Sequence, residues 1–249
     1  MDTPKPPALL SAEALKPPIS YPESDGEPLG ETDSHITVIL HLLEALRYFF
    51  RQEKRIYVAA NMLFYYEEGD PTAVKAPDVF VVKGVAKHQR RTYKLWEEKK
   101  APCVVLEITS RQSRLEDQGT KRALYEMLGV REYFLFDPLD EYLSPRLQGL
   151  HLVGGSFKAM SASAQGTLRS KELGLILRPE GKQLRLVDPR KGQALPTLEE
   201  AAELAQAQFQ RAKKESRRAA REAQRADAAE AELARLRGEQ KRRRKRSRE

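Results

Sequence analysis

The apolar positions of this chain change period several times, and each change marks an element. From Ser34 to Arg51, the residues Ile36, Ile39, Leu40, Leu43, Leu46, Tyr48 and Phe50 recur at mostly helical spacing. That spacing predicts an amphipathic helix, capped by Asp33 or Ser34 and packed on a sheet. IYVAANMLFYYEEG, residues 56–69, reads as a strand or hairpin ending at Gly69-Asp70-Pro71. Three runs rich in β-branched and aromatic residues follow between Ala76 and Pro138: APDVFVV, PCVVLEI and REYFLF. One helical pattern, LEDQGTKRALYEMLGV, lies between the second and the third. This unit reads strand, long connection, strand, helix, strand. After Pro138, GLHLV and SFKAM flank Gly154-Gly155 and predict a β-hairpin. LGLILRPEGKQLRLVDP predicts two short strands with a turn near Gly181, and Pro189 to Pro196 reads as a linker.

The two ends of the chain differ from this middle. Residues 1–30 carry Pro4, Pro6, Pro7, Pro17, Pro18, Pro22 and Pro28, an irregular, extended lead-in. Residues 31–195 hold the folded domain. Residues 197–240 are rich in Ala, Glu, Arg, Gln and Leu, with no Pro and with Gly238 alone among glycines. Thr197 with Glu200 forms a capping box at the start. One seven-residue repeat runs through Leu198, Ala205, Ala212, Ala219, Ala226 and Leu233. A second runs through Ala201, Gln208, Glu215, Glu222, Ala229 and Leu236. Such a register predicts a weak coiled coil, and hence a homodimer or other homo-oligomer. The bland alternative is a single solvated helix laced with i,i+4 charge pairs.

Charge adds one feature. The net charge is +8, but residues 241–249, KRRRKRSRE, hold +6 of it. The body is close to neutral, and the tail cations Lys241, Arg242, Arg243, Arg244, Lys245 and Arg246 suit a polyanion such as DNA. A second basic stretch, residues 84–100, interleaves Arg90, Arg91 and Lys94 with Tyr93 and Trp96. It fits either a nucleic-acid track or an exposed loop whose aromatics cover the core. No apolar run is long enough to span a membrane and no secretory signal is expected, so the expected location is the cytoplasm. Cys103 is the one cysteine, which excludes an intramolecular disulfide. The four histidines show no zinc spacing, and there is no Gly-rich phosphate loop and no G-x-S-x-G elbow.

The chemistry is carried by a few polar residues in apolar surroundings. Glu107 interrupts a core strand, where a carboxylate is costly unless it is paired or binds a cation. Asp78 opens the preceding strand. If the two strands are neighbours, both carboxylates converge on one Mg²⁺ or Mn²⁺, with the backbone carbonyl of Ile108 as a further ligand. Lys121, on the following helix, is the cation best placed to meet developing negative charge. Tyr125 lies one turn on and Asp117 one turn back, so Asp117 either holds Lys121 or caps the helix. This set suggests a metal-dependent phosphodiesterase.

YPESDGEPLGETDSH, APDVFVV, YKLWEEKKAPCVVLEITS and DQGTKRALYEMLGVREYFLFDP, together with the Ala/Glu/Arg-rich tail, resemble the Uma-two family of restriction-endonuclease-like proteins. The resemblance covers roughly residues 20–195. It implies the PD-(D/E)XK nuclease superfamily: an α/β, restriction-endonuclease-like core whose mixed central sheet is flanked by helices. It also implies Mg²⁺-dependent cleavage of phosphodiester bonds in DNA. Pro77-Asp78 falls on the PD motif and Glu107-Ile108-Thr109 on the (D/E)XK motif, with Thr109 where the superfamily has lysine. The family pattern implies that the next helix supplies that lysine, as Lys121. It also implies that Glu44, on the first helix, touches the metal through water. The alternative function is a catalytically silent nuclease fold that binds nucleic acid or acts as an oligomeric scaffold.

Overall fold

The computed structural model describes residues 19–24 and 32–246, with side chains described as far as residue 240. The rest of the Pro-rich lead-in and the side chains of the basic tail lie outside the described residues. Two units are present, Met1–Leu195 and Pro196–Glu249.

The first unit begins with helix α1, Asp33–Phe49. Its cap is Thr32, one residue before Asp33 and two before Ser34, the expected caps, and the Thr32 hydroxyl accepts from the His35 amide at 3.4 Å. Strands β1 (Ile56–Ala60), β2 (Phe64–Tyr65), β3 (Val74–Lys75), β4 (Val79–Lys83) and β5 (Tyr93–Lys94) follow. After a short helix α2 (Leu95–Glu98) come β6 (Val104–Ile108), α3 (Arg114–Gln118), α4 (Thr120–Met127) and β7 (Glu132–Phe136). The unit closes with β8 (Leu147–Val153), β9 (Ser156–Ala159), β10 (Leu168–Ser170), β11 (Leu175–Glu180), β12 (Gln183–Asp188) and β13 (Gln193–Ala194).

A six-stranded sheet in the order β1-β4-β6-β7-β8-β9 is the centre. Within this sheet only β6 and β7 pair in parallel, with the α3–α4 crossover between them, so the sheet is mixed. Its two faces carry different layers. On one, Val38, Leu42 and Leu46 of α1 pack on Val79, Val81, Leu106 and Ile108, and against Leu175, Leu177, Leu184 and Leu186 of the second sheet, β10-β11-β12-β13. On the other, Tyr125 of α4 and Phe64 and Tyr93 of a small sheet, β3-β2-β5, cover Phe80, Val105 and Tyr133. Each such fully buried side chain stabilises the fold by about 1.5–3 kcal/mol. The architecture is the expected α/β core with a mixed central sheet and flanking helices.

Several expectations need correction. Residues 56–69 are not a hairpin: β1 pairs with β4, while β2 pairs with β3 and β5 in another sheet. Asn61, at φ 45°, turns the chain between them, and its amide is held by the Pro77 carbonyl at 3.0 Å. The helical run after β6 is broken into α3 and α4 at Gly119, where a Cβ would lie 2.8 Å from the Leu115 carbonyl oxygen. Residues 84–100 are not all loop, since Tyr93 is fully buried in β5. The hairpin at Gly154-Gly155 forms with both glycines at positive φ, as a tight two-residue connection requires. Strands β10 and β13 were not foreseen.

In the second unit, helix α5 spans Leu198–Arg246 without interruption, roughly 73 Å long at 1.5 Å per residue. Its capping box is closed in both directions: Glu200 N–H donates to the Thr197 hydroxyl at 3.1 Å, and Thr197 N–H to the Glu200 carboxylate at 2.9 Å. Leu198, Leu204, Phe209, Leu233 and Leu236 are exposed on it.

Candidate active site

Strand alternation places Val104, Leu106 and Ile108 in the α1 layer and turns Glu107 to the opposite face, towards α4. The pairing Val79 to Leu106 puts Asp78 across from Glu107 at the end of the β4–β6 ladder. The two acids are coupled through the backbone. Asp78 N–H donates to Glu107 Oε2 at 3.3 Å, and Ile108 N–H donates to Asp78 Oδ2 at 2.6 Å. Lys121, in the first turn of α4, places its ammonium 3.1 Å from Glu107 Oε2 and 3.0 Å from Asp117 Oδ1. Tyr125, one turn later, donates to Glu107 Oε1 at 2.9 Å. Thus Asp117 holds Lys121 rather than capping a helix.

Burial governs the electrostatics. Glu107 is 0% exposed, and burial pushes its carboxyl up to about 8; Lys121 opposes the shift, while Asp78 and Asp117 add to it. Burial also raises Asp117 and lifts the Tyr125 hydroxyl well above its ordinary value. Burial disfavours the charge on Lys121, but Glu107, Asp117 and Asp78 outweigh it and raise that ammonium above its ordinary value. Lys121 is therefore a fixed positive charge.

This group forms the floor of a cleft of about 840 Å³. Asp78, Ile108, Thr109 and Lys121 line it, and Glu107 stands directly behind them. One wall is a loop held by Asp137, whose buried carboxylate accepts five backbone N–H groups, from Leu139 to Leu143. That loop places Leu139 and Tyr142 at the cleft.

His35 was missed by sequence reasoning. It sits in the first turn of α1, and its Nε2 lies 3.2 Å from Asp78 Oδ2. The only available signal was its place near a helix start, 43 residues before Asp78. Glu44 is not brought to the group. It lies nine residues along α1 from His35, roughly 13 Å away, and pairs with Arg47 at 3.4 Å. The basic stretch is tied internally. Arg90, whose side chain is 4% exposed, makes a bidentate pair with Glu98 at 2.6 and 3.0 Å and lies over the Tyr57 ring at 4.2 Å. Arg91 pairs with Glu23, Lys94 with Glu97 at 3.0 Å, and Trp96 packs on Tyr21 at 5.0 Å.

The donor set fits a divalent cation. Three carboxyl groups, Asp78, Glu107 and Asp117, are buried around one ammonium among the described residues, and a bound cation would favour their ionised forms against the upward pull of burial. The buried Thr109 hydroxyl has no hydrogen-bond partner among the described residues, leaving it available at the cleft. No cluster of three His, Cys, Asp or Glu forms a ready cage among the described residues. Mg²⁺ commonly needs no such cage, since it takes one or two carboxylates and completes its shell with water and substrate phosphate.

Residues 9–209 match the model of the Uma2 family, described as "Putative restriction endonuclease". The chain belongs to the Uma2 family. Among solved structures, a "putative nuclease belonging to DUF820" from Anabaena variabilis ATCC 29413 is similar at 13% identity and a TM-score of 0.42, over 65% of this chain and 88% of that one. No curated protein matches the chain. Among the described residues, no helix of this Uma2 member is long and apolar enough to cross a membrane.

Proposed function

We propose that this protein is a metal-dependent endonuclease that hydrolyses phosphodiester bonds of DNA. One observation carries the reading: Asp78 and Glu107 are locked together by adjacent strands, around a buried, fully charged lysine, at the floor of a cleft. Asp78 and the Ile108 carbonyl would hold Mg²⁺ or Mn²⁺, with Glu107 behind them. Such an ion polarises a phosphoryl oxygen and helps to ionise the attacking water. Lys121 supplies a fixed positive charge to the phosphoryl oxygens as negative charge builds there. Asp117 positions Lys121, and Tyr125 orients Glu107. Thr109 offers its hydroxyl at the cleft, while the position of lysine in the motif is taken over by Lys121.

Plasmid and oligonucleotide cleavage with Mg²⁺ or Mn²⁺ tests this. Asp78→Asn and Glu107→Gln are expected to abolish cutting, and Lys121→Met to slow it by about 10²–10³-fold. Full activity in Asp78→Asn and Glu107→Gln would end the proposal. A second reading, a nuclease fold that binds without cutting, is favoured by the enclosure of Glu107. Both its oxygens are taken by Lys121, Tyr125 and the Asp78 amide. Metal calorimetry on wild type and Asp78→Asn separates the two, since a silent fold of this kind takes up no ion. We also propose that α5 joins two or more copies, so that two clefts can act on opposite strands.

A further inference from the structure

Beside the cleft lies a second cavity of about 580 Å³, between the end of α1 and the loop that follows β4. Arg47, Arg51, Lys87, His88 and Arg90 line it, and among the described residues no acidic side chain does. Of the four Lys and Arg cations, two are matched locally, Arg47 by Glu44 and Arg90 by Glu98. The other two are not matched by carboxylates among the described residues. Lys87 donates to the Phe50 carbonyl at 2.5 Å, and Arg51 to the Tyr48 carbonyl at 2.8 Å. These carbonyls end α1, and a helix C-terminus carries only about half a negative charge. Two full cations against about half a charge leave an excess of more than one positive unit.

Its place in the fold gives that excess a use. Met62 lines this pocket, while its neighbours Asn61 and Leu63 line the catalytic cleft. The two cavities are thus separated by one turn of chain. Arg47 lies twelve residues along α1 from His35, roughly 18 Å, or about five base pairs of duplex. We propose that this pocket is a phosphate subsite that grips the nucleic-acid backbone next to the cleft. The inference rests on the nuclease reading for its substrate. It assigns to Arg51 and Lys87 the role of holding phosphate diesters away from the scissile bond.

The test is duplex binding by the full chain in EDTA, over a series of salt concentrations, with and without the pair Arg51→Gln and Lys87→Gln. The slope of log K against log salt is expected to shrink by about two, which is roughly tenfold in affinity over a fourfold salt range. On the wild type, saturating duplex is expected to protect Lys87 from acetylation, read by mass spectrometry; this arm needs no variant to fold. An unchanged slope in a folded double variant, or Lys87 equally reactive with and without duplex, overturns the subsite. Protection by pyrophosphate but not by duplex also overturns it, and assigns the pocket to a free phosphate compound. Absence of cleavage together with a reduced slope and protection would sink the nuclease reading and leave the subsite standing.

Discussion

At the scale of single residues, the site is a trade between burial and pairing. Glu107 tolerates complete burial because a lysine, a tyrosine hydroxyl and a backbone amide surround it. The same logic explains Arg90, which serves the fold. Its pair with Glu98 pins residues 86–90 over the Tyr57 ring. Glu98→Gln is expected to cost about 2 kcal/mol at neutral pH, because a buried guanidinium loses its counter-charge. Hydrogen bonding to Arg90 holds the Glu98 carboxyl below its ordinary value. This stabilisation is therefore full above the ordinary glutamate pKa and is lost as pH falls through the depressed value. Urea titrations should show a gap between wild type and variant at about pH 7 that narrows as the pH falls below the ordinary glutamate value; a gap that stays constant in acid would mean packing, not charge, is responsible. Asp78, Glu107, Asp117, Lys121 and Tyr125 were legible as a group because strand alternation and helix spacing fix their faces. His35 was not, because nothing local ties α1 to β4.

Among the elements, α4 carries Lys121 and Tyr125, and α5 carries the seams through which association is proposed. Gly119 breaks the crossover into two helices, and α4 restarts at Thr120 with Lys121 directed at β6. A single continuous helix, the sequence expectation, would have lacked this break. Helix α5 carries exposed Leu198, Leu233 and Leu236 on the two predicted seams, in a core otherwise of alanine and polar residues. Each layer buries little, so association through it is expected to be weak and concentration-dependent. Light scattering of the full chain should find a dimer or larger species at high concentration. Leu233→Glu with Leu236→Glu should return it to monomer. A wild type that stays monomeric at high concentration, with and without DNA, removes the coiled-coil proposal.

Across the whole molecule, the first unit depends on how the two larger sheets are joined. Glu132, at the start of β7, is buried and accepts from the Ser170 hydroxyl and from Lys171 N–H at 2.8 Å. It thereby ties the central sheet to the turn between β10 and β11. Glu132→Ala should destabilise the unit by about 3 kcal/mol, since a buried hydroxyl and an amide lose their acceptor. If the sheets fold together, urea unfolding keeps one transition at a lower midpoint; two separate transitions would show that they fold independently. The amino-acid sequence by itself determined the order of most elements, the helical nature of the C-terminal segment and the identity of the central acids and lysine. These follow from periodicity and local spacing, which need no knowledge of distant neighbours. Tertiary structure alone decided that β1 joins β4 instead of pairing with β2, that His35 meets Asp78, and that Glu44 does not. It also decided that the cations of residues 84–100 divide between internal pairs and a basic pocket. Those outcomes depend on which distant surfaces bury each other and where the charges then find partners, and neither is written in local period.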